Sequence, residues 1–230
     1  MAEHMIHCDP FDELSQVQEA DLHIHSRFSP CSRNKPEAIL QKAIRVGLDI
    51  IAITDHNSIR GAKEVAALLT GNEPVSVVIG SEILTDRGDL IGLFLEEDIS
   101  SVQFEDVADE IHDQGGLTML PHPFDTNRRT ACFPKAEDAK LLDAIEVQNG
   151  RYTSDKPVEL ACSYATTYAV PAVGNSDSHF IYEIGSIRTC FEGGDIRTAI
   201  RTNLVGPCGM RPLPIGLPLS KLLHHVRKRV

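Results

Sequence analysis

Ten histidines occur in this chain, and five of them stand with carboxylates at the ends of short apolar runs. His23 and His25 lie in "ADLHIHS", and Asp55 and His56 follow in "AITDHNS". Glu82 falls in "VVIGSEI" and Asp89 in "GDLIGLF"; His122 closes "LTMLPH", and Asp177 and His179 lie in "VGNSDSHF". A mixed imidazole and carboxylate set suits Zn, Mn or Fe, whereas an all-oxygen set would suit Mg or Ca. Eight or nine candidate ligands exceed what one tetrahedral ion needs. Two or three divalent ions are therefore expected, with Glu82 or Asp177 as bridging carboxylate. Ions so placed lower the pKa of water and neutralise phosphoryl oxygens, which is the chemistry of phosphoester hydrolysis. No serine nucleophile elbow competes, since "GNSDS" departs from GxSxG. Taken singly, a strand-end histidine is an ordinary polar residue and Asp–His a helix cap. Joint placement is what favours a metal.

These residues need elements to bring them together. Strand alternation puts Leu22 and Ile24 on one face and Asp21, His23 and His25 on the other. After this first strand, "KPEAILQKAIRVG" reads as a helix with Pro36 in its first turn and Gly47 as its stop. "LDIIAIT" reads as a buried strand and "SIRGAKEVAALLT" as a helix with Ser58 as N-cap. "VSVVIGSEI" and "DLIGLFL" form an antiparallel hairpin across "LTDRG". "SVQFEDVADEIHDQG" is a helix, "GLTMLPH", "AIEVQNG" and "AVPAVGNSD" are strands, and "SIRTCF" precedes "DIRTAIRTNL". About seven such units closing on themselves predict a barrel-like α/β domain, with an open doubly wound sheet as the alternative. In parallel α/β folds the carboxyl ends of the strands form one face, where all these groups would converge.

The 230 residues carry a formal charge of −11, from 22 basic and 33 acidic residues. That balance argues against nucleic acid and for a small phosphorylated partner, because bound cations can reverse the local field. Six cysteines without a CxxC read as reduced thiols of a cytoplasmic protein. No apolar run reaches membrane-spanning length, so no membrane partner is expected. Residues 1–19 read as a leader, 20–205 as the barrel domain, and 206–230 as a proline-rich, basic tail.

In this order, "DLHIHS", "TDHNS", "GSEI", "PHPF" and "GNSDSH" resemble the polymerase and histidinol phosphatase (PHP) superfamily, from Ala20 to about Phe191. The resemblance implies a distorted (β/α)7 TIM-like barrel, a two- or three-metal site at the C-terminal ends of the strands, and phosphoesterase activity. It implies His23, His25, His56, Glu82, His122, Asp177 and His179 as ligands, with Asp177, His179 and Glu82 at the reacting centre and Asp55 behind the ligands. Two places depart from the pattern. Many relatives continue H-S-x-x-S-D-G, whereas this loop reads "HSRFSPCS", so Cys31 either replaces the aspartate or is a small loop residue. Asp89 stands where many relatives carry a histidine, as a ligand or a hairpin cap. Arg27, Arg128, Arg129 and Asn149, with Arg151 nearby, are candidates for the substrate phosphate, since arginine makes bidentate contacts to its oxygens. The other enzyme class is a metal-dependent amidohydrolase, which would want a strand-end lysine where Glu82 stands. A non-catalytic metal-binding module is the third reading.

Overall fold

The computed structural model describes residues 17–212. The expected leader, except for its last three residues, lies outside them, as do Cys8 and the basic segment 221–230.

Strand β1 (Gln18–Ile24) leads into helix α1 (Pro36–Arg45). Pro36 occupies its first turn, and Pro36, Ile39, Leu40 and Ala43 form one buried face. Gly47, at φ +75°, ends it. Next come β2 (Ile50–Ile53), α2 (Arg60–Ala66), and the hairpin of β3 (Ser76–Thr85) and β4 (Gly88–Leu93). Ile59, not Ser58, is the cap residue of α2; the Ser58 hydroxyl accepts from Arg60 N at 3.3 Å instead. Helix α3 (Phe104–Asp113) buries Phe104, Val107, Ala108 and Ile111 and feeds β5 (Leu117–Leu120). A 3₁₀ turn, Ala136–Leu141, precedes β6 (Ala144–Asn149). Helix α4 (Lys156–Tyr168) precedes β7 (Ala172–Asn175), and β8 (Ile187–Phe191) follows. Helix α5 (Ile196–Arg201) is capped by the Asp195 side chain. Strand β9 (Val205–Gly209) carries the sheet past the domain boundary expected at 205.

The nine strands form one sheet in the order β7-β6-β5-β4-β3-β2-β1-β8-β9. Strands β1 to β3 are parallel, as are β5 to β7, and antiparallel β4 joins the two sets. The chain leaving β7 returns to β1, with His25 N donating to Ser178 O at 3.0 Å and Ser178 N to His23 O at 3.3 Å. That contact nearly closes the sheet into a barrel. Its interior holds an apolar cluster drawn from every strand, including Leu22, Ala52, Val78, Ile91, Met119 and Phe191, with Ile196 and Ile200 of α5 against it. Each of the larger side chains among them contributes on the order of 1.5–3 kcal/mol through burial.

Two further expectations are corrected. Leu22 packs inside the barrel, but Ile24 packs among α1 and α2, because the β1–β2 register shifts between Asp21 and Ile24. A bulge there breaks simple alternation and re-aims the strand end. Cys190 and Cys208 are not reduced thiols: they form a disulfide. Strands β8 and β9 run side by side, and the Cα atoms lie 6.0 Å apart, within bonding reach. A separation of 18 residues with no motif gives no hint of that pairing.

Candidate metal centre

The carboxyl ends of the parallel strands deliver their polar residues to one mouth. His23 Nε2 lies 3.2 Å from His25 Nε2. Glu82, from β3, reaches four imidazoles: its oxygens lie 2.8 Å from His122 Nε2, 3.1 Å from His56 Nδ1, 3.4 Å from His25 Nε2 and 3.6 Å from His23 Nε2. Asp177 Oδ1 lies 3.4 Å from His25 Nε2, 3.5 Å from His179 Nδ1 and 3.6 Å from His23 Nε2. Asp89 Oδ2 stands further out, 3.8 Å from His122 Nε2. Except for His56, these residues are buried.

This donor set fits divalent cations. Asp177 Oδ1 is buried among three ring nitrogens yet has no hydrogen-bond partner, and His122 Nδ1 is likewise without one. A buried, unsatisfied carboxylate oxygen costs about 1–3 kcal/mol or more, and a shared cation is what satisfies such a group. His122 and Asp177 also have left-handed backbones, at φ 33° and 51°, the kind of local strain that gathers at functional sites.

Opposing charges set the protonation states. Burial would raise the Asp177 carboxyl, but Arg128 and His23 hold it well below the ordinary range. Glu82 is likewise held well below, burial being outweighed by His23 and His56. His23 is raised despite burial, by Asp177, Glu146 and Glu82. Burial lowers His56 to about 4, and burial with Arg151 lowers His179. Burial and the nearby Glu82 push Asp89 up. Neutral His56 and His179 beside ionised Glu82 and Asp177 are in the forms that bind metal, whereas His23 and Asp89, both raised, would each release a proton to a bound cation.

A layer of polar residues holds these side chains in place. Asp55 turns away from the mouth and accepts from Ser26 N at 2.8 Å, Ser26 Oγ at 2.5 Å and Ser29 Oγ at 2.5 Å. Ser29 Oγ lies 3.2 Å from His25 Nδ1, so Asp55 orients His25 through that hydroxyl. Glu146 was not among the expected residues. Fully buried in β6, it lies 2.9 Å from His23 Nδ1 and accepts from His122 N at 2.8 Å, Asn149 Nδ2 at 2.9 Å and Asn175 Nδ2 at 3.0 Å. Its one sequence signal is a charge inside the apolar run "AIEV".

The expected phosphate contacts divide. Arg128 enters the mouth, its Nη2 donating to Asp177 Oδ2 at 2.5 Å. Asn149 is buried, bonded to Glu146 and Asp177, and so braces the site from behind. Arg151 is buried against Glu183 at 3.5 Å. Arg129 and Arg27 are exposed, Arg27 with its guanidinium over the Phe28 ring. Cys31 is buried within reach of His25 and His56.

The PHP domain family matches residues 21–148, and the PHP-associated family matches residues 157–203. The uncharacterized protein MJ0417 of Methanocaldococcus jannaschii is 35% identical over 174 residues, 73% of this chain and 68% of that one. A two-domain protein from Bacteroides vulgatus, containing a predicted PHP-like metal-dependent phosphoesterase, aligns with a TM-score of 0.71 at 21% identity. The alignment covers 85% of this chain and 66% of that one, just under two thirds of its length. Endonuclease Q, solved with a 27-mer duplex bearing an abasic lesion, aligns with a TM-score of 0.56 at 18% identity, over 81% of this chain and 56% of that one. The two solved structures share the fold, and the sequence matches carry the relationship further: this chain belongs to the PHP domain family.

Proposed function

We propose that this chain is a metal-dependent phosphoesterase that hydrolyses a small phosphorylated molecule, a metabolite or a nucleotide. Two or three divalent ions, of the Zn, Mn or Fe kind, would be held by His23, His25, His56, Glu82, Asp89, His122, Asp177 and His179. The observation that carries this reading is Asp177 Oδ1, buried among three imidazole nitrogens without a hydrogen bond. Bound ions supply Lewis acidity and a lowered pKa for water. The chain's residues do the rest. Glu82 and Asp177, kept ionised, balance the cations' charge, and neutral His56 and His179 offer lone pairs. Partly exposed Arg128, braced by Asp125 and Asp177, sets a guanidinium at the rim where phosphoryl oxygens would arrive. Among the described residues, Glu82 fills the place where an amidohydrolase would call for a strand-end lysine.

A net charge of −11 disfavours a polyanion, which supports a small substrate. Endonuclease Q, with its duplex, motivates the competing nucleic-acid reading. The test is to assay the full chain with Mn or Zn against phosphomonoesters, phosphodiesters and an oligonucleotide. Faster turnover of the small esters is expected; turnover of the oligonucleotide alone would replace the substrate assignment. His122→Ala should cut activity more than about 100-fold, beyond what loss of an outer-shell partner costs, with a far smaller change in stability. An equal loss of folding would make His122 a core residue.

A further inference from the structure

The geometry points to Cys31 as a thiolate ligand for one ion of the cluster, which makes the ion positions chemically unequal. The inference rests on the metal-dependent reading above. Ligand atoms of His25, Cys31 and His56 lie within 4.8 Å of one another, and the two imidazole rings are 4.8 Å apart. Small side-chain adjustments close such a triad onto one ion. A second observation comes from the other side of His25, where the unpartnered Asp177 Oδ1 lies 3.4 Å from Nε2. The Ser29 hydroxyl is at Nδ1, so Nε2 is the nitrogen turned toward the cluster.

The loop bearing Cys31 is anchored to the strand ends that carry the histidines. Ser32 Oγ lies 3.0 Å from both His25 O and His179 O, sharing its one proton between them, and Asn34 Nδ2 donates to His25 O at 3.1 Å. Cys31 is only 4% exposed, yet its surroundings are not those of a core cysteine. Cys132 packs within an apolar cluster, whereas Cys31 faces imidazoles. On binding, the thiol gives its proton to solvent and the thiolate takes the ion. Sulfur with imidazole selects zinc-like ions over manganese. The neighbouring group of His23, His122 and Asp177 has no sulfur and accepts either.

The full chain, stripped of metal and titrated with cobalt(II), reports on sulfur ligation directly. Visible ligand-field bands together with a near-ultraviolet thiolate-to-cobalt charge-transfer band are expected. Cys31→Ser should lose the near-ultraviolet band and keep the visible ones. Cys31→Asp, which restores a ligand, should bind as many ions without that band and favour manganese over zinc more than the parent does. Cobalt bound without the band, or a band that survives Cys31→Ser, would overturn the inference while leaving the metal reading in place. A chain that binds no cobalt would overturn both.

Discussion

Glu146 is itself neither a candidate ligand nor a candidate phosphate contact, yet it fixes the ring of His23 and the backbone of His122 through 2.9 and 2.8 Å contacts. Such outer carboxylates set the tautomer and basicity of the imidazoles they hold. Glu146→Gln keeps the volume and removes the charge, so metal affinity should fall about 10–100-fold with every ligand still present. Metal-binding titration checks this; unchanged affinity would reduce Glu146 to a packing residue. The contrast with the candidate ligands shows what a sequence can reveal here. His23, His56, His122 and Asp177 stand out because unusual residue types follow apolar strands. Glu146 acquires its role from His23 and His122, 123 and 24 positions away, which no local pattern records. Asn149 misled for the same reason: its place at a strand end was legible, but not that its amide would be used up by Glu146 and Asp177.

At the scale of elements, helix α2 and the loop after β1 meet at Gly61. A Cβ there would lie 1.9 Å from Asp55 Oδ2 and 2.5 Å from Ser26 Oγ. Alanine is the better helix former by about 1 kcal/mol, but displacing a buried, hydrogen-bonded carboxylate costs about 1–3 kcal/mol. Gly61→Ala should therefore lower the urea midpoint and weaken metal retention through Asp55, Ser29 and His25. A more stable variant would contradict this account of the helix. The β3–β4 turn carries a second joint, where Arg87 pairs with Asp138 of the 3₁₀ turn and Asp138 accepts from Lys135 N at 2.7 Å. Burial would raise the Asp138 carboxyl, but Arg87's hydrogen bonds outweigh it and the pKa is lowered. A carboxyl lowered on folding contributes stability above its unfolded pKa and loses it as pH falls through the folded one. Asp138→Asn should thus be less stable than the parent at neutral pH by about 1–3 kcal/mol. Urea midpoints should converge in strong acid, and a gap independent of pH would refute the ion pair. Helices α1 and α3 were legible from apolar spacing, and the β3–β4 hairpin from its polar turn. The bulge in β1 and the β8–β9 disulfide were not, since both depend on register between strands.

Over the whole molecule, the sheet's near-closure turns scattered strand ends into one site: β1 and the segment after β7 join there, bringing His25 beside Asp177 and His179. Strand–helix alternation made the barrel legible and a polar turn the antiparallel β4, whereas antiparallel β8 and β9 adapt it in ways alternation cannot foresee. Among the described residues, no helix is long and apolar enough to cross a membrane. In the proposed reading charge has two tasks: the chain's net charge of −11 disfavours polyanions, and the nitrogen-rich mouth would hold cations. If hydrolysis depends on bound cations, removing and restoring them must switch it off and on. Metal content and phosphoesterase activity are followed on one sample of the full chain, as purified, after chelation, and after Mn or Zn is restored. Bound metal, activity lost on chelation and activity regained with the ion are the predicted result; no bound metal and no hydrolysis under any of these conditions would contradict it.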